Sequence, residues 1–68
     1  MELKNQLKVW RAKQDITQGD LALEVGLSRQ SINSIERGIY VPSVISAMKL
    51  AAFFKTTVED IFYFEEEK

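Results

Sequence analysis

Four hydroxyl side chains, Thr17, Ser28, Ser43 and Thr57, stand just ahead of four segments whose apolar residues recur at helical spacing. A helix leaves its first backbone N–H groups without partners inside the helix, and a Ser or Thr oxygen placed before the first turn accepts one of them. Asp20 after Thr17 and Asp60 after Thr57 extend two of these starts into something like a capping box. Starts so closely spaced leave room only for short helices. Each cap is worth about 1 kcal/mol, a real share of the margin by which a small domain stays folded.

Between these starts the elements can be placed. Residues 3–14 read as a first helix, with Leu3, Leu7 and Trp10 on one stripe. Thr17 opens a second helix through Val25, stopped by Gly26, the residue type best suited to the left-handed backbone after a helix. Ser28 opens a third helix that reaches Arg37, and Gly38 closes it. Pro42 and Ser43 open a fourth to about Phe54, with Val44, Ala47, Met48, Ala51 and Phe54 expected inward. Thr57 begins a short fifth helix with Val58, Ile61 and Phe62. The run Phe62-Tyr63-Phe64 is too short for another helix and is expected to lie extended, paired with residues 2–4 as a two-strand ribbon between the termini. The fold class is therefore all-α, five helices in a single domain over residues 1–68, ending in an acidic tail at 65–68.

The 68 residues include no cysteine and no histidine. Disulfides and the usual zinc sites cannot staple the fold, so no metal or cofactor is expected and a second copy of the chain is the expected source of extra stability. The N-terminus lacks the apolar run of a signal peptide, and no segment approaches the ~20 apolar residues of a membrane span. A cytoplasmic protein is the expectation, with neither membrane nor small-molecule ligand. Catalysis finds no nucleophile–base pair and no phosphate loop, so an enzyme is not expected. Nine basic against ten acidic residues give a net charge of −1, which by itself counts against nucleic acid. The charges are uneven, though. Residues 1–40 hold six Lys/Arg and five Asp/Glu, residues 41–68 three and five.

The third helix carries the sharpest pattern. At about 100° per residue, Arg29, Asn33, Arg37, Gln30 and Ser34 fall in that order within an arc of about 140°. Ile32 and Ile35 lie opposite, and Glu36 sits at the border. The arc holds no acid, and its side chains are types that fork onto base edges, Arg onto guanine and Gln or Asn onto adenine. Only Gly26 and Leu27 separate the second helix from the Ser28 cap, the tight junction of a helix-turn-helix.

The stretch TQGDLALEVGLSRQSINSIERG resembles the helix-turn-helix, about residues 17–37, of the Cro and repressor family, which includes many regulators of the xenobiotic-response-element type. Gln18 opening the second helix, small Ala22, Gly26 at the turn, the pair Ile32 and Ile35, and the ending IERG carry the likeness. YVPS resembles the family's following loop, TTVEDIF its closing helix and VWRAKQDITQ its opening one. The resemblance spans about residues 3–62, in the layout of a short stand-alone, repressor-like member.

That resemblance implies a sequence-specific regulator, more a repressor than an activator, that binds a pseudo-palindromic operator in double-stranded DNA as a homodimer. It implies base contacts from Arg29, Gln30, Asn33 and Ser34. Backbone contacts are implied for Gln18, Ser28, Arg37, Tyr40, Ser43 and Arg11, and an ion pair for Arg11 and Glu36. Chain departures from the family are Ile39 and Val41 in a loop often basic, Gly19 inside the second helix, and Leu23, Ile45 and Ala52 at positions commonly charged. The aromatic end, Val58, Ile61, Phe62, Tyr63 and Phe64, is expected to form the dimer interface. The alternative is the same fold as a protein-interaction module, antitoxin-like or bridging, docking through Leu23, Ile39, Val41 and Ile45.

Overall fold

The computed structural model describes residues 2–66. Its elements run β1 (Glu2–Asn5), α1 (Leu7–Lys13), α2 (Gln18–Val25), α3 (Arg29–Glu36), α4 (Val44–Phe54), α5 (Val58–Ile61) and β2 (Phe62–Glu65). The four hydroxyl caps all form. Thr17 accepts from the Asp20 N–H and Ser28 from the Ser31 N–H, each at 3.0 Å; Ser43 accepts from Ser46 at 3.1 Å and Thr57 from Asp60 at 3.2 Å. Gly26 takes the left-handed conformation, φ 73°, and the N–H of Leu27 closes the turn on the Ala22 carbonyl at 2.9 Å. Lys55 closes α4 from the same left-handed region, where the sequence offers no glycine.

The ribbon joins the ends of the fold. β1 and β2 are antiparallel, with Leu3 opposite Phe64 and Asn5 opposite Phe62. This corrects the expected first helix. Residues 3–5 are strand, and the helix begins at Leu7, because the N-terminal backbone finds its hydrogen bonds on β2 rather than within a helix. Phe62 likewise leaves α5 and begins β2.

The side chains of Leu7, Leu21, Ile32, Ile35, Leu50 and Ile61 are fully buried, so every helix sends at least one apolar side chain to a common centre. Trp10, Leu27, Phe53, Val58 and Phe62 pack around it, half-buried. Three expectations change here. Val44 and Met48 point outward, 75% and 59% exposed, and Leu50 takes the inward place on α4. Ile61 lies wholly inside the protomer, so it cannot touch a twin. Val58 and Phe62 serve mainly the same core, whereas Tyr63 and Phe64 are exposed. Of the acidic tail, Glu65 ends β2 and Glu66 is exposed; residues 67 and 68 lie outside the described residues. No helix among the described residues is long and apolar enough to cross a membrane.

Candidate nucleic-acid interface

Ile32 and Ile35 anchor α3 with its opposite side outward. Arg29, Gln30 and Arg37 are exposed, and Asn33 and Ser34 half-buried. Arg29, Gln30 and Asn33 join Gln18 of α2 around an open concavity of about 430 Å³. Next to it, Gln18 and Arg29 also line a hollow of about 660 Å³ with Arg11, Asp15, Ile16, Thr17 and Gly19. That hollow opens at the N-terminus of α2, where unpaired N–H groups carry partial positive charge. On the other side Gln30 shares a shallow hollow of about 210 Å³ with Ser28, Ser31, Ser34 and Tyr40. The three lie along one edge of α3, linked by Gln18, Arg29 and Gln30.

A hydrogen-bonded chain holds that edge in place. Arg11 Nε donates to Glu36 Oε2 at 2.8 Å and Arg11 Nη2 to Glu36 Oε1 at 3.2 Å, while Nη1 donates to the Ile16 carbonyl at 3.0 Å. The expected ion pair of Arg11 with Glu36 is thus a two-point contact, its side chains 17% and 6% exposed. The hydrogen bond to Glu36 raises the Arg11 pKa against the opposing effect of burial, so the guanidinium stays charged at any working pH. Gln18 Nε2 continues the chain, donating to Glu36 Oε1 at 3.1 Å and to Asn33 Oδ1 at 3.3 Å. The negative charge of Glu36 is thereby matched by Arg11, while Arg29 joins no ion pair among the described residues. With Glu36 matched by Arg11, Arg29 is the unpaired charge on the α3 edge among the described residues, and Asp15 lies across the neighbouring hollow.

Not every residue named from the sequence meets the others. Arg37 sits at the far end of α3, lining a separate hollow with Lys4, Asn5 and Gly38. The Ser28 and Ser43 hydroxyls are engaged in their caps and with Ser31 and Ser46. One positioning residue escaped the sequence reading. Asn5 Nδ2 donates to the Ile35 carbonyl at 2.8 Å, and its Oδ1 accepts from the Leu7 N–H at 3.1 Å, tying the ribbon to the end of α3 and the start of α1. An Asn two residues before the first helical residue is a turn signal, but its reach to α3 is a long-range contact.

The family model described as Helix-turn-helix matches residues 7–61, from the first residue of α1 to the last of α5. The chain belongs to the helix-turn-helix family of the xenobiotic-response-element type. Relatives of similar length agree. A protein of Methanocaldococcus jannaschii named an uncharacterized HTH-type transcriptional regulator is 48% identical over 66 residues, covering 97% of this chain and 100% of its own. The similarly named YgzD of Bacillus subtilis is 42% identical over 65 residues, covering 96% and 98%. A third HTH-type regulator, from Archaeoglobus fulgidus, is 42% identical over 66 residues, covering 97% and 93%. Within the helix-turn-helix family α2 and α3 are the paired helices, and here they pack on each other more extensively than any other two helices.

Proposed function

We propose that this chain is a sequence-specific double-stranded DNA-binding regulator of transcription that works in the cytoplasm as a homodimer, by occupancy rather than catalysis. The observation that carries the reading is the concavity uniting Gln18, Arg29, Gln30 and Asn33 beside an Arg29 free of any ion pair among the described residues. The edge of α3 enters the major groove. Arg29 and Gln30, at its N-terminal end, read base edges, and each good bidentate contact discriminates by about 1–3 kcal/mol. Asn33 and Ser34 read further along. The N-terminus of α2, with the Gln18 backbone N–H, meets the duplex backbone, with Arg11, Ser28, Arg37, Tyr40 and Ser43 at its margins. Two copies place their α3 helices in successive major grooves about 34 Å apart, matching a pseudo-palindromic operator. A bound dimer over a promoter blocks polymerase, which makes repression the outcome.

The test is selection of duplexes from a random pool, followed by titration of the enriched sequence across a salt series. Enrichment of an inverted repeat, bound far more tightly than scrambled duplex, is expected. The slope should be shallow, since each neutralised phosphate adds about 0.9 to it and this edge holds few cations. A second reading, a protein-interaction module, is favoured by the exposure of Leu23, Ile39, Val41 and Ile45 at 83%, 65%, 64% and 67%. A pool that yields no enriched sequence supports that reading instead.

A further inference from the structure

Helix α4 is apolar on nearly every side; Lys49 is its one charged residue. Ala47, Leu50, Ala51 and Phe54 pack inward. Next to that inward side Val44, Met48, Ala52 and Ile45 follow one another round an arc of roughly 100°, with Lys49 about 40° beyond Ile45, and all five are exposed. A helix hydrophobic all round is one that has both sides covered. The loop leading into it adds Ile39 and Val41, each about two-thirds exposed. Residues 39–48 contain no charge at all. A groove of about 190 Å³, lined by Leu3, Tyr40, Val41, Pro42 and Phe62 together with Glu2 and Asn5, carries this surface onto the ribbon. There Phe64, opposite Leu3 and on the same face as Phe62, is 66% exposed.

We propose that this face, the loop before α4 and the first two turns of α4 with Phe64 at its margin, is the two-fold interface with a second copy of the chain. The proposal rests on reading the chain as a dimeric regulator and names the surface that makes the dimer. Three observations point to a second copy. A two-fold axis sets residues near it against their own images, so any charge there meets a like charge; residues 39–48 have none, and Lys49 falls at the border of the arc. The exposed fractions of Ile39, Val41, Val44, Ile45 and Met48, 59–75%, together offer an area of the order of the ~800 Å² that each partner contributes to a standard interface. Arg29 lines none of this groove, so pairing leaves Arg29 clear, while Tyr40 stands where the patch meets the hollow beside Gln30. The end of the chain offers less, since Ile61 is buried and Val58 and Phe62 are half-buried in the protomer.

The test is sedimentation of the full chain without DNA, for the parent and for Ile45→Glu, Met48→Glu and the control Val9→Glu, an exposed apolar site on α1. The parent and Val9→Glu should sediment as dimers at micromolar concentration. Each α4 variant should raise the dimer dissociation constant at least tenfold while keeping the parent's circular dichroism. If either glutamate disturbs folding, Val44→Ser supplies the same comparison without a charge. A parent that is monomeric at 100 µM, about a hundredfold above the micromolar range of specific pairs, or α4 variants that dimerise as the parent does, overturns the proposal. The first of these outcomes leaves the face to a different protein. A dimer that loosens on these substitutions yet prefers no duplex sequence overturns the operator reading alone.

Discussion

Arg11 and Glu36, twenty-five residues apart, meet through two nitrogens and two oxygens, at 2.8 and 3.2 Å. This contact fixes α3 to α1 at the end remote from Arg29. Glu36 is the more buried partner, and removing either member strands the charge of the other. Arg11→Ala and Glu36→Ala should each cost about 3 kcal/mol, the lower end for a broken buried pair because Arg11 keeps some solvent. Urea unfolding of the two variants measures this; a loss under about 1 kcal/mol marks the pair as an ordinary surface bridge.

Gln18 reaches from α2 to both Asn33 and Glu36. Asn33 is therefore oriented by a residue of the preceding helix, and the two act together. Gln18→Ala should lower stability by about 1–2 kcal/mol, as expected for a part-buried bond to a charged acceptor. It should also relax discrimination at the base pair that Asn33 reads, in a double-mutant cycle with Asn33→Ala. Additive effects of the two substitutions on binding would separate them.

Asp60 links α5 to its cap. Its carboxylate accepts from the Thr56 hydroxyl, and chiefly for that reason its pKa lies below the ordinary value. A carboxyl with a lower pKa in the folded chain adds stability at pH values above its unfolded pKa of about 4, and loses it as pH falls through the lower folded value. Stability should fall as pH drops below about 5, and Thr56→Val should flatten that fall. Thermal midpoints across this range for parent and variant provide the measurement; parallel profiles would count against the link.

Gly19 lies in the first turn of α2 without a positive φ, and a methyl group there would meet only the Thr17 hydroxyl, at 3.9 Å. Gly19→Ala should raise stability by about 0.5 kcal/mol, through a less flexible unfolded chain. A lower denaturant midpoint would show that the site is tighter than its geometry.

The helix starts were legible because a cap is local chemistry. Thr17, Ser28, Ser43 and Thr57 each act on an N–H three residues away. The edge of α3 was legible too, since two isoleucines leave its polar arc only one way to face. What escaped depends on partners distant in sequence. Leu3 fits both a helical stripe with Leu7 and Trp10 and the expected ribbon strand, and pairing with Phe64 decides for the strand. On α4, where nearly every residue is apolar, periodicity cannot tell the inward side from the outward one; it points to Val44 and Met48, whereas Leu50 takes the inward place. The bond from Asn5 to the Ile35 carbonyl spans thirty residues and leaves no local trace.

The most direct measurement is base-by-base discrimination by Arg29→Ala and Gln30→Ala on the duplex the parent selects. Each variant should keep the parent's fold by circular dichroism and lose about 1–3 kcal/mol of preference at one base pair of each half-site, becoming indifferent there while other positions hold. Variants that fold normally and retain the parent's full preference at every position would contradict the placement of this edge in the major groove.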